Sequence, residues 1–144
     1  MIYIGSDHAG FRLKAEIIKV LAKDHKVNDM GTFSEEPVDY PDIAKKVAEQ
    51  VVLNKGSRGI LICSSGTGMC MAANKVKGAR AAVIYDTYSA VMSKHDNDAN
   101  IACLRGREVP FKKQVGLVKT WLGSRYSGIA RHTKRINKLN RMGL

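Results

Sequence analysis

Residues 59–75 read GILICSSGTGMCMAANK, and this stretch decides the fold. Gly59 to Cys63 form an unbroken apolar run, the pattern of a strand buried on both faces of a parallel sheet rather than one with a wet side. Small residues follow from Ser64 to Gly66, and Thr67 opens a segment of helical character. Strand, glycine turn and helix in succession are the repeating unit of a parallel α/β sheet. Four more runs of similar length lie elsewhere: Met1 to Gly5, Lys26 to Met30, Arg80 to Tyr85, and Ile101 to Leu104.

The segments between these runs carry helical periodicity. Leu13, Ile17 and Leu21 recur at four-residue spacing, as do Ile43, Val47 and Val51, while Val115, Val118 and Leu122 share one face of a later helix. Pro41 and Pro110 stand where proline is tolerated, at helix starts. The alternation predicts a Rossmann-like α/β domain, a five-stranded parallel sheet flanked by helices, with a flavodoxin-like strand order. Residues 1–144 are expected to form that one domain, with 125–144 a basic C-terminal helix.

Composition narrows the function classes. The chain is 44% hydrophobic without low-complexity tracts, which predicts a globular fold. No apolar run is long enough to span a bilayer, and the N-terminus lacks the pattern of a signal peptide, so a cytoplasmic protein without a membrane partner is expected. Cys63, Cys70 and Cys103 are odd in number and unpaired in spacing, which suits reduced thiols. A net charge of +11 raises the question of nucleic acid, but six of the basic residues fall between Arg125 and Arg141 with no acidic one among them. A tail of that kind suits an RNA partner, a solvated helix face or arginines meant for a small phosphate. The scarcity of stacking aromatics, with one Trp and five Tyr, argues against RNA.

In a doubly wound sheet ligands bind beyond the carboxyl ends of the strands, where strand order reverses. The loops there read Ser6-Asp7-His8, Cys63-Ser64-Ser65-Gly66-Thr67-Gly68, Tyr85-Asp86 and Arg105-Gly106-Arg107. The second loop aims several backbone N–H groups at one spot, which favours a developing anion. A helix N-terminus also favours a thiolate over a thiol, so Cys63 is a candidate base or nucleophile, with a buried core cysteine as the plain alternative. The loop is neither a P-loop nor a dinucleotide fingerprint, and Met69 stands where a cysteine phosphatase needs arginine. Asp7 suits an N-cap, and His8 at a helix start fits a bound anion. Arg131 and Arg135, four residues apart, share a helix face suited to phosphate, while Ile129, Ile136 and Leu139 are expected to pack the other side. His95 and Asp96 read as the polar end of a helix begun near Thr87. The histidines at 8, 25, 95 and 132 share no ligand spacing, so no metal set is expected.

Six separate pieces, GSDHAGFRLK, GTFSEEPVDYP, GILICSSGTGMCMAANKV, GARAAVIYD, NDANIACLRGR and RHTKRI, together resemble the ribose-5-phosphate isomerase B family, which also includes allose-6-phosphate and galactose-6-phosphate isomerases. The resemblance covers almost the whole chain. It implies a cofactor-free aldose-ketose isomerase of the pentose phosphate pathway and of carbohydrate metabolism. The expected reaction interconverts D-ribose 5-phosphate and D-ribulose 5-phosphate through an enediolate. It implies a homodimer that pairs into tetramers in some members, with sites at the dimer interface and the C-terminal helix reaching a partner subunit.

By position, Cys63 resembles the proton-transferring cysteine, and Met69 stands where another branch carries a glutamate base. Asp7, Tyr40, Ser64, Ser65, Gly66, Thr67 and Gly68 match substrate- and enediolate-binding positions. His8, Arg107, Arg131 and Arg135 match positions that hold the phosphate, and Asn97 matches an asparagine beside the sugar. Ser65 replaces the threonine usual there but keeps the hydroxyl, and a larger departure is Asp96, which stands where ribose-specific members have the histidine assigned to ring opening, with His95 one residue earlier. The departure leaves ring opening to His95, to Asp96, or to solution and another group, and leaves a 6-phosphohexose isomerase and a non-catalytic sugar-phosphate sensor as alternatives.

Overall fold

The five apolar runs are five strands. In the computed structural model, which describes all residues from Met1 to Leu144, these are β1 (Ile2–Ser6), β2 (Val27–Asp29), β3 (Arg58–Cys63), β4 (Ala81–Val83) and β5 (Ile101–Arg105). All pair in parallel in one sheet. The connecting helices are α1 (Phe11–Leu21), α2 (Tyr40–Leu53), α3 (Thr67–Ala73), α4 (Thr87–His95), α5 (Phe111–Gly123) and a terminal α6 (Ala130–Leu139). A single 3₁₀ turn, His8–Gly10, leads into α1.

Because side chains alternate across a strand, each central strand feeds two apolar layers. Ile2, Ile4, Ile60, Ile62, Ala102 and Leu104 meet α1, α4 and α5 on one face. Tyr3, Leu61, Cys63, Ile101 and Cys103 meet α2 and α3 on the other. Burying each isoleucine or leucine contributes about 1.5–3 kcal/mol. That is why the unbroken runs occupy the middle of the sheet.

Strand order is β2-β1-β3-β5-β4, which corrects the flavodoxin-like 2-1-3-4-5 expectation in its last two members. Ile101 to Leu104 are fully buried whereas Ala81 to Val83 are only partly covered. The more apolar strand therefore takes the inner place beside β3, and the three-residue β4 becomes the edge. The reversal point between β1 and β3 is unaffected.

Two helices differ from their sequence pattern. In α5 the buried residues are Gln114, Leu117, Val118 and Trp121, with Val115 and Leu122 only at the margin. The helix is rotated because the Gln114 amide donates to the Arg105 carbonyl at 2.7 Å and Trp121 fills the core. At the C-terminus, helix is limited to Ala130–Leu139 instead of 125–144. Gly128 has a φ of +68°, and Ser127 Oγ accepts from the Ile129 N–H, which holds the preceding segment out of helix. Of the apolar residues expected to pack there, Ile136 is buried, but Ile129 and Leu139 remain 37% and 45% exposed. His132 takes the other buried position.

Candidate active site

Three loops converge beyond the carboxyl ends of β1, β3 and β5, and main-chain bonds tie them together. The Asp7 N–H donates to the Ile62 carbonyl at 3.0 Å, and the Gly106 N–H to the Cys63 carbonyl at 2.8 Å. Asp7 is buried, and its Oδ1 accepts from the Gly10 N–H at 3.0 Å, the capping role expected of it. His8 Nδ1 accepts from the Val38 N–H at 3.4 Å, which leaves Nε2 as the ring's N–H donor.

The Ser64–Gly68 loop owes its shape to two glycines. Gly66 has a φ of +81°, and a Cβ there would stand 3.0 Å from the Leu104 backbone. A Cβ on Gly68 would lie 2.6 Å from the Tyr40 ring, so only glycine lets that ring close over the loop. The N–H groups of Ser65, Gly66 and Gly68 find no acceptor within the chain, whereas the Thr67 N–H donates to Ser65 Oγ at 3.3 Å. Ser64, Ser65 and Thr67 are exposed. Several unpaired donors thus stand beside the residue that ends β3.

That residue is Cys63, 4% exposed, facing the α2 and α3 layer together with Met69. The other two thiols lie in the same layer and are engaged with each other. Burial, followed by contact with Cys70, pushes the Cys103 thiol well up, while the hydrogen bond with Cys103 lowers Cys70. Of the three cysteines, Cys63 alone leads directly into the donor loop, and its thiol is the one not hydrogen-bonded to another. Arg107 is exposed in the loop after β5.

A Ribose/Galactose Isomerase family model matches residues 2–139. The chain belongs to this family. It is 41% identical over 139 residues to the ribose-5-phosphate isomerase B of Escherichia coli K12, covering 96% of this chain and 93% of that one. A solved ribose-5-phosphate isomerase B from Clostridium thermocellum superposes with a TM-score of 0.93 at 47% identity, covering 97% of this chain and 95% of the other. A Mycoplasma genitalium ribose-5-phosphate isomerase B, solved with bound ribulose-5-phosphate, superposes at 0.91 with 40% identity over 97% of this chain and 93% of that one.

The remaining candidates from sequence are not near Cys63. The connection through α4 returns the chain from the carboxyl end of β4 to the amino end of β5, so His95, Asp96 and Asn97 sit at the opposite end of the sheet. The Gly59 N–H donating to the Asn100 carbonyl, and the Asn100 N–H to that of Arg80, fix this end. The two ends of a strand such as β3 are roughly 16 Å apart. Helix α6 packs here too: Arg80 donates to Asn140 Oδ1 at 2.8 Å, and Ser127 Oγ bonds His132 Nδ1 at 2.8 Å. Arg131 and Arg135 are exposed on it, and Asn97 lines a cavity of about 360 Å³ beside β4.

At this end the structure corrects the expectation that no metal-type cluster exists. His95, Asp96 and His132 bring their ligand atoms within 4.8 Å of one another. His95 Nδ1 lies 2.8 Å from Asp96 Oδ1, and His132 Nε2 lies 3.7 Å from the same oxygen. The His95 hydrogen bond, with the charges of His132, His95 and Arg131, holds the Asp96 carboxyl below its ordinary value. Sequence spacing hides the cluster because His132 lies far along the chain from the other two. Nothing in the spacing of the four histidines marks His132 as a partner of His95 and Asp96.

Proposed function

We propose that this chain interconverts D-ribose 5-phosphate and D-ribulose 5-phosphate through an enediolate, with Cys63 as the base. Membership of the ribose/galactose isomerase family supports the reaction class. The observation that carries the residue assignment is a cysteine ending β3 at the strand-order reversal, against a loop whose N–H groups at Ser65, Gly66 and Gly68 are unpaired.

The chemistry follows from that arrangement. The Cys63 thiolate takes the proton from C2 of the open aldose and returns it to C1, while the hydroxyl proton on O2 passes to O1, so that C2 becomes the carbonyl. The free N–H groups, with the Ser65 hydroxyl, stabilise the negative oxygen of the enediolate, and one positioned donor of this kind is worth roughly 3–4 kcal/mol. Tyr40 closes over the loop, and Asp7 and His8 line its side. Positioning the carbons against the thiol requires an anchor on the distal phosphate, for which His8 and Arg107 are at hand.

The arginines of α6 and the group that acts on the sugar ring lie at the far end of the same chain. We therefore assign the working unit as a homodimer in which one copy's carboxyl-end loops meet the α6 and His95–Asn97 segment of a second copy. The exposed Ile129 and Leu139 then gain a partner surface, and Arg131 and Arg135 reach the phosphate. A cytoplasmic setting suits reduced thiols and a phosphorylated substrate. A single domain over 1–144 accounts for both halves of the site.

The deciding experiment is a coupled isomerase assay on ribose, allose and galactose phosphates with purified protein. Turnover of ribose 5-phosphate that vanishes in Cys63→Ala, with substrate binding retained, is the expected result. Binding without turnover in the wild type refutes the catalytic reading.

A further inference from the structure

We propose that His95, Asp96 and His132 form a binding site for a divalent transition cation of the zinc class. Two imidazoles and one carboxylate, with no thiolate, make a borderline donor set that prefers such an ion over magnesium or calcium, which take all-oxygen shells. Tetrahedral zinc with bonds of about 2.0–2.1 Å sets its ligand atoms about 3.3 Å apart. The observed separations of 2.8 and 3.7 Å straddle that value, so side-chain shifts of a few tenths of an ångström admit the ion at those two edges.

The surrounding shell is that of a built site. His132 is buried, and its Nδ1 is engaged by Ser127 Oγ, which leaves Nε2 as the nitrogen turned toward Asp96. Ser127 also donates its backbone N–H to the His95 carbonyl at 3.0 Å, so one residue fixes both histidine-bearing segments. Outer partners that fix ring orientation in this way are a regular part of metal sites. His95 and Asp96 are each about two-fifths exposed, which leaves the open side for the ion to enter and for a fourth ligand. The one cation facing the cluster from α6 is Arg131, whose exposed side chain is free to swing into solvent. Lys94 and Arg80 are both committed to Asp98.

Binding does not depend on the isomerase reading, but its consequence does. A cation held by His95 and Asp96 withdraws both from the sugar and turns zinc into a reversible inhibitor.

Calorimetric titration of the full chain with Zn²⁺, and visible absorption with Co²⁺ as a spectroscopic substitute, test the proposal without substrate. One ion per chain is expected, undisturbed by excess Mg²⁺. His132→Ala and Asp96→Asn should abolish it, Ser127→Ala should weaken it about tenfold to a hundredfold, and Cys63→Ala should leave it unchanged. Asp96→Asn is nearly isosteric at a partly exposed position and keeps the test valid if His132→Ala fails to fold. The absence of stoichiometric binding in the wild type, or binding that survives Asp96→Asn and follows the cysteines instead, overturns the site. Zinc binding without inhibition of an active enzyme leaves the site standing and removes His95 and Asp96 from the sugar chemistry.

Discussion

The two ends of the sheet are built by different means. At the carboxyl end the backbone does the work: main-chain bonds from Asp7 and Gly106 to β3, a left-handed Gly66, and a Gly68 pressed beneath Tyr40. At the amino end side chains do it, with His95, Asp96, Ser127, His132 and the Arg80–Asn140 contact drawn from three distant segments. The first kind of site is rigid and complete in its donors but has few cations. The second is rich in cations but has no nucleophile. Each lacks what the other holds.

Mutation can break that comparison. The largest effect is expected from Cys63→Ala, which should lower kcat by about a hundredfold to ten-thousandfold while leaving KM and the unfolding midpoint near wild type, as measured by steady-state kinetics and thermal melting. Arg131→Ala and Arg135→Ala each remove a charge-assisted contact and should raise KM about tenfold to a hundredfold with a smaller change in kcat. An unchanged KM in both would leave the amino end without a part in catalysis. Gly68→Ala drives a methyl into the Tyr40 ring and should cost about 1–3 kcal/mol of stability, measured by urea denaturation, with reduced turnover.

The smallest effect concerns acid. Because the Asp96 carboxyl is held below its ordinary value, stability from its contact with His95 is present above the unfolded carboxylate value of about 3.9. It is lost as pH falls through the lowered folded value. Acid unfolding followed by circular dichroism should therefore show a low-pH limb that Asp96→Asn flattens, with little change at neutral pH.

The same contrast explains how much was legible beforehand. The carboxyl-end candidate site is a local matter, with thiol, turn and helix start contiguous from Cys63 to Gly68, so periodicity and glycine placement mark the loop, while Cys63 by itself reads equally as a core cysteine. The central strands β1, β3 and β5 are legible because burial on both faces writes itself as an unbroken run, whereas the edge strands β2 and β4 are only partly covered. The order of β4 and β5 is not legible, because it depends on which of two apolar runs packs better against β3. The His95–Asp96–His132 cluster is not legible in the sequence because its members meet only after α6 folds back. Ile129 and Leu139 read as core residues in the pattern, yet a single chain covers them only in part.

The opposite placement of the two half-sites has a genetic corollary. Under the homodimer arrangement assigned above, chains carrying Cys63→Ala and chains carrying Arg135→Ala are each defective alone. When they are co-expressed and assemble as mixed pairs, one interface collects both lesions and the other collects neither. Two crippled alleles would then complement each other and restore one intact centre per heterodimer.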